Sequence, residues 1–155
     1  MHTEIERKFL VDTAIWRPSG KGTLYVQGYI VASAGSAVRV RIAGPKAFLG
    51  LKSLVSNITR REFEYEIPVG DAESLLELFW KKPLIEKRRH KETHNGGLWE
   101  IDVFRGENDG LVVAEIELAS EDEEIMLPDF VAREVSTDQR YFNFNLQKHP
   151  FKEWR

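Results

Sequence analysis

The chain has 155 residues, 42% of them hydrophobic and 30% charged, with a net charge of -3, which suits one globular domain over 1-155 and argues against a general nucleic-acid or membrane surface. It contains no cysteine, which excludes disulfides and zinc-thiolate sites. The charged start predicts no signal peptide and no apolar run approaches the roughly 18 residues of a membrane span, so a cytoplasmic protein is expected.

The first predicted strand, 3-11, reads Glu4-Ile5-Glu6-Arg7-Lys8-Phe9-Leu10-Val11. Alternation puts Glu4, Glu6 and Lys8 on one face and Ile5, Phe9 and Val11 on the other. Strands near 24-31, 37-43 and 46-53 follow, separated by Pro18-Ser19-Gly20, Ser33-Ala34-Gly35-Ser36 and Gly44-Pro45, all sequences that favour chain reversal. A strand near 59-68 precedes a helix from Asp71 to Trp80, with Ala72, Leu75, Leu76 and Phe79 at helical spacing and Pro83 as its stop. Strands 84-92, 97-105 and 111-118 are joined through Asn95-Gly96-Gly97 and Asn108-Asp109-Gly110. Ser120 with Glu123 reads as a capping box opening a short helix, the Glu121 to Glu124 run as its solvated start. Thr137 or Asp138 is expected to cap a terminal helix carrying Tyr141, Phe142 and Leu146.

Eight strands joined mainly by hairpins predict a mainly β fold, a closed or nearly closed eight-stranded antiparallel β-barrel with short flanking helices, because closure removes exposed edges. The charged face recurs in Val38-Arg39-Val40-Arg41-Ile42, Leu49-Gly50-Leu51-Lys52, Arg61-Glu62-Phe63-Glu64-Tyr65 and Ala114-Glu115-Ile116-Glu117-Leu118, each dominated by one sign. Such sorting implies two sets of charges across a shared interior. Unpaired charges in a dry core cost several kcal/mol each, so this interior must hold water, metal ions or a highly charged ligand.

The basic set is Lys8, Arg39, Arg41, Lys52, Lys87 and Arg89, with Arg140 as an addition from the terminal helix. Guanidinium forks and ammonium points suit a ligand with several phosphates in a row. The acidic set is Glu4, Glu6, Glu62, Glu64, Glu115 and Glu117, with Asp102 as a further member. These carboxylates would repel phosphate unless a hard divalent cation lay between. His2, His90, His94 and His149 have no ligand spacing and read as surface histidines, and Trp16, Trp80, Trp99 and Trp154 as packing residues. The Gly44 to Ser53 stretch does not have the spacing of a phosphate-binding P-loop.

Glu4-Ile5-Glu6-Arg7-Lys8 resembles the ExExK signature of the CYTH superfamily, the triphosphate tunnel metalloenzymes. The likeness runs in order through Arg39-Val40-Arg41, Leu51-Lys52-Ser53, Glu62-Phe63-Glu64, Glu86-Lys87-Arg88-Arg89, Ile101-Asp102-Val103-Phe104, Ala114-Glu115-Ile116-Glu117 and Glu134-Val135-Ser136-Thr137-Asp138. The resemblance implies an eight-stranded tunnel that binds a triphosphate with Mg2+ or Mn2+. It implies metal ligation by Glu4, Glu6 and Glu117 and triphosphate binding by Lys8, Arg39, Arg41, Lys52, Lys87 and Arg89. Glu62, Glu64, Asp102 and Glu115 would line the catalytic acidic wall. Where relatives often carry a lysine before Arg-Tyr, this chain has Gln139, and Arg140 is the expected substitute.

The activity so implied is hydrolysis of inorganic tripolyphosphate to pyrophosphate and phosphate, as in the short bacterial inorganic triphosphatases. Alternatives on the same tunnel are a class IV adenylate cyclase, a thiamine triphosphatase and a non-catalytic binder of organic polyphosphates. The expected partner is a triphosphate-containing small molecule, with a homodimer as the commonest closed assembly.

Overall fold

Nine strands form one antiparallel sheet in a computed structural model that describes residues 1-33, 35-79 and 83-154. They are β1 (His2–Val11), β2 (Thr23–Ala32), β3 (Ser36–Ala43), β4 (Lys46–Leu54), β5 (Thr59–Ile67), β6 (Ile85–His94), β7 (Gly97–Phe104), β8 (Val112–Glu117) and β9 (Val131–Glu134). In space the order is β5-β4-β3-β2-β6-β7-β8-β1, and a further β5–β1 pairing closes eight strands into the expected barrel. β5 pairs with residues 2-5 of β1 and β9 with Phe9 and Val11, so two strands share its length. β9 has only four residues, too few to show alternation, and was not expected.

Two turns need backbone that most residues avoid. Asn95 (φ 50) and Gly96 (φ 79) form the two-residue loop of the β6–β7 hairpin, whose positive φ values match strand twist. Gly44 (φ 58) closes β3–β4.

Apolar faces distribute into three clusters. Phe9, Trp99, Ile101, Ala114 and Ile116 face outward from β1, β7 and β8 and are covered by Trp16 and Phe130. Val40 and Ala47 of β3 and β4 are covered by Ala72 and Leu76 of α1 (Val69–Leu78). Ile85, Phe104 and Val113, which share the inward parity of Lys87, Asp102 and Glu115, pack with Tyr141 and Leu146 and fill one end of the barrel. The interior is therefore apolar at one end and charged along the rest.

α1 begins at Val69, two residues before the expected start. Its expected end at Trp80, and the packing expected of Trp80, lie outside the described residues. Residues 120-127 do not form the expected helix. Four consecutive acids repel at helical spacing, and the apolar Ile125-Met126-Leu127 that follow are contiguous rather than spaced by a helical turn. Instead Glu123 accepts a hydrogen bond from the Ala119 N–H, and Glu121 accepts from the Ser56 and Thr59 hydroxyls rather than pointing freely into solvent. The terminal helix is broken. A single 3-10 turn at Gln139–Tyr141, capped by Asp138, is separated from α2 (Asn143–Lys148) by Phe142 in extended conformation. The break lets Tyr141 enter the apolar plug while Phe142 and Asn143 line the cavity beyond it. Among the described residues no helix is long and apolar enough to cross a membrane.

Candidate active site

Inside the barrel the two predicted charge sets meet as ion pairs. Lys52 of β4 donates to Glu4 at 2.6 Å and lies 3.1 Å from Glu62. Lys8 is 3.1 Å from Glu115. Arg39 and Arg41 share Glu64, at 3.4 and 3.0 Å. Lys87 donates to Asp102 at 2.6 Å. Arg89 holds Asp102 through both carboxylate oxygens, 2.7 and 2.8 Å away, and also reaches Glu100 and Glu115. Strand register produces this sorting, since Lys52 sits opposite Glu62, Arg89 opposite Asp102 and Lys8 opposite Glu115.

The pairs differ in depth. Asp102 is 0% exposed and Lys87 1% exposed. Burial opposes the charge on Asp102, but Arg89 and Lys87 outweigh it and hold the carboxyl below its ordinary value. Burial likewise opposes the charge on Glu115, which Lys8, Arg89 and Lys87 hold well below the usual carboxylate range. Burial pushes the Lys87 ammonium down to about 8, with the Arg89 charge acting in the same direction. For Glu4, burial is outweighed by the charge and hydrogen bond of Lys52, and its pKa is lowered.

Glu6 is the exception. Burial, then the charges of Glu115 and Glu4, push its carboxyl up to about 8. Among the described residues its side chain has no ion pair or hydrogen bond.

Two cavities meet on this constellation. One, of about 220 Å³, runs past Arg41, Glu64 and Glu117 to His2 and Lys91. The other, about 350 Å³, leads past Lys8 and Arg60 to the terminal segment around Phe142 to Lys148. Glu4, Glu6, Arg39, Lys52 and Asn143 line both. The expected cations Lys8, Arg39, Arg41, Lys52, Lys87 and Arg89 are brought together with Glu4, Glu6, Glu62, Glu64, Glu115 and Glu117 along this continuous space, while Asp102 lines neither cavity and is buried against Lys87 and Arg89.

Arg140 is not among them. Its side chain is 60% exposed, bonded to Asp138 at 2.6 Å and placed over the Trp154 ring, because an acid two residues earlier captures it outside the barrel. His90 also departs from expectation. It is buried edge-on to Trp16 rather than at the surface.

Several lining residues escaped sequence reasoning. Tyr25 and Tyr29 of β2 face the cavities, and buried Gln27 lies between them. This wall carries no charge, so a charge-sorted alternation cannot reveal it. His2 is 2.7 Å from Glu117, and Glu100 binds Arg89. His2 extends the alternating set recognised in β1, and Glu100 lies two residues from Asp102 on the same face of β7. Asn143, whose Oδ1 is buried without a partner among the described residues, comes from a distant segment.

The donor set suits a hard divalent cation. Glu6 is an unpartnered carboxyl beside Glu4 and Glu115, and a cation would relieve the repulsion that raises its pKa. Among the described residues no three carboxylates converge into a closed cage, and Glu4 and Glu117 are engaged by Lys52 and His2.

Residues 2-148 match the CYTH domain family. The chain is 47% identical over 155 residues to an inorganic triphosphatase of Acetivibrio thermocellus, covering 100% of this chain and 99% of that protein. It is 36% identical over 152 residues to an inorganic triphosphatase of Nitrosomonas europaea, covering 91% and 94%. A crystal structure of an inorganic triphosphatase superposes with a TM-score of 0.67 at 35% identity, over 95% of each chain. The fold alone is shared with a protein of Pyrococcus horikoshii, TM-score 0.55 at 21% identity, over 77% of this chain and 80% of that one. A charged antiparallel barrel of this register, matched over nearly its whole length, belongs to the CYTH domain family.

Proposed function

We propose that this chain, a single domain over 1-155 acting in the cytoplasm, hydrolyses inorganic tripolyphosphate to pyrophosphate and phosphate with Mg2+ or Mn2+. The observation that carries the reading is the convergence of Lys8, Arg39, Arg41, Lys52, Lys87 and Arg89 on one walled space that also contains the unpartnered Glu6. The full-length likeness to proteins named inorganic triphosphatase supports the choice of substrate.

In this reading Arg39 and Arg41 grip phosphate oxygens with their planar forks, and Lys8 and Lys52 supply point charges. Lys87 and Arg89 are fixed by Asp102 and Glu115, which orient them and set the local charge. Glu4, Glu6 and Glu117 are the residues that would hold the cation. When bound, it neutralises phosphate charge and polarises the bond to be broken. Glu62 and Glu64, displaced from their basic partners by phosphate, join the acidic wall that orients water. Water oxygen bonds to the terminal phosphorus as the bond from that phosphorus to the bridging oxygen breaks, and a wall carboxylate accepts the water proton.

The test is release of phosphate and pyrophosphate from tripolyphosphate, ATP and thiamine triphosphate, each with magnesium or manganese. Tripolyphosphate should be turned over fastest, giving one phosphate and one pyrophosphate. Failure to release phosphate from any of the three defeats the assignment.

A further inference from the structure

We infer that Tyr25 is a positioning residue for substrate, its ring holding the Arg41 guanidinium in the tunnel, an inference that rests on the triphosphate reading above. Tyr25 lies on β2 between β3 and β6, opposite Ala43 and Lys87, so Arg41 and Arg89 occupy its two diagonal neighbour positions. The residue is 8% exposed, and the guanidinium carbons of Arg41 and Arg89 lie 5.2 and 5.1 Å from its ring centroid. Both distances are within the reach of cation–π attraction.

The two arginines depend on the ring to different degrees. Arg89 is fixed without it, by four hydrogen bonds to Asp102, Glu100 and Glu115. Arg41 has only Glu64, which it shares with Arg39, and its Nε is buried with no partner among the described residues. Burial and the charges of Arg39 and Arg89 lower its pKa, so one shared carboxylate leaves it undercompensated. What else holds it is aromatic, Tyr25 on β2 and Phe48 at 5.5 Å on β4. Aromatic faces fix a guanidinium without consuming its N–H donors, so those at its Nη end stay available to a phosphate oxygen. The Tyr25 hydroxyl has no hydrogen-bond partner among the described residues, which puts the role in the ring.

The experiment measures kcat and KM for tripolyphosphate with saturating magnesium. Arg41 would contact the phosphates in ground and transition states alike, so loss of its positioning raises KM and leaves kcat nearly unchanged. Tyr25→Leu should raise KM roughly tenfold with kcat within about twofold, and Tyr25→Phe should restore KM to within about twofold of wild type. On an Arg41→Ala background, Tyr25→Leu should add no more than about a further twofold, because both changes remove one device. An unchanged KM in Tyr25→Leu, a Tyr25→Phe as impaired as Tyr25→Leu, or fully additive effects overturns the inference. If Tyr25→Leu does not give a native circular dichroism spectrum, Tyr25→Met keeps the bulk without the ring and should show the same KM rise. If the wild type does not hydrolyse tripolyphosphate, the proposed function fails separately. The comparison is then made on the thermal shift that tripolyphosphate induces, and equal shifts in wild type and Tyr25→Leu defeat the positioning role.

Discussion

The Nζ of Lys52, a triphosphate-binding candidate, lies 2.6 Å from Oε2 of Glu4, a metal-ligating candidate. In the barrel each set thus neutralises the other, which is how so many charges stay in one interior without the cost of isolated buried ions. Binding a metal triphosphate must exchange these pairs for new ones. On the proposed function, phosphate would take Lys52 and the cation would take Glu4.

That exchange predicts synergy. Either ligand alone strands half of the Lys52–Glu4 pair, whereas both together satisfy both halves. The rise in melting temperature with tripolyphosphate and magnesium together should therefore exceed the sum of the separate rises. A full shift from tripolyphosphate alone would contradict the exchange.

Glu4→Gln and Glu6→Gln should each lower turnover about 100-fold or more while leaving circular dichroism native, because each removes a charge proposed to ligate metal at nearly constant volume. Magnesium titration of activity decides the matter. Near wild-type rates at limiting magnesium in either variant rule out this metal site.

The same two variants should part company in stability. The Glu6 pKa is raised in the folded state, from 4.5 to about 8. Its carboxyl therefore binds more protons folded than unfolded, so its unfavourable contribution is absent below about pH 4.5, grows through the interval and is complete above about pH 8. Relative to wild type, Glu6→Gln should gain melting temperature as pH rises from about 5 to 8 and level off beyond. Glu4→Gln should show the opposite sign at neutral pH, since the depressed Glu4 pKa marks a stabilising pair with Lys52 that the substitution removes. A pH-independent difference between Glu6→Gln and wild type would mean that the Glu6 carboxyl is not raised.

Asp102→Asn should destabilise the protein by about 3–5 kcal/mol, because it leaves Lys87 and Arg89 without the fully buried carboxylate that both contact. Urea unfolding measures this directly. A loss below about 1 kcal/mol would show that Glu115 and Glu100 suffice as counter-charges.

Much of this site was legible because a barrel strand exposes one face to the interior, so Glu4, Glu6 and Lys8, or Arg39 and Arg41, declare themselves at period two. The same rule made the β2 wall invisible. Tyr25, Gln27 and Tyr29 alternate with Val26, Gly28 and Ile30, and neither series carries charge. Arg140 failed for a different reason. Its neighbourhood in sequence suggested the tunnel, but the local bond to Asp138 decided its direction. The missed β9 and the helix expected after Ser120 reflect short segments whose conformation is set by tertiary contacts, the Phe9–Glu134 register in one case and the Glu121 bonds to Ser56 and Thr59 in the other.

The last prediction concerns which phosphorus is attacked. A cyclase must hold ribose and base so that the 3'-hydroxyl lies about 3–3.5 Å from the alpha phosphorus, in line with the leaving pyrophosphate. A hydrolase needs only the triphosphate and a water. The charged groups along the barrel account for the second requirement. The aromatic residues at the far mouth, Tyr29, Phe142 and Phe144, pack on one another at 5.9 to 6.0 Å, which engages their rings in packing rather than leaving them as an open stacking platform. With magnesium, tripolyphosphate should therefore be consumed faster than ATP, and ATP should yield phosphate rather than cyclic AMP. Arg39→Ala and Arg41→Ala should lower kcat/KM for both substrates, because both use the same triphosphate contacts. Cyclic AMP with stoichiometric pyrophosphate as the main products from ATP, and tripolyphosphate left intact, would reverse the choice of reaction while leaving the barrel and its ion pairs as described.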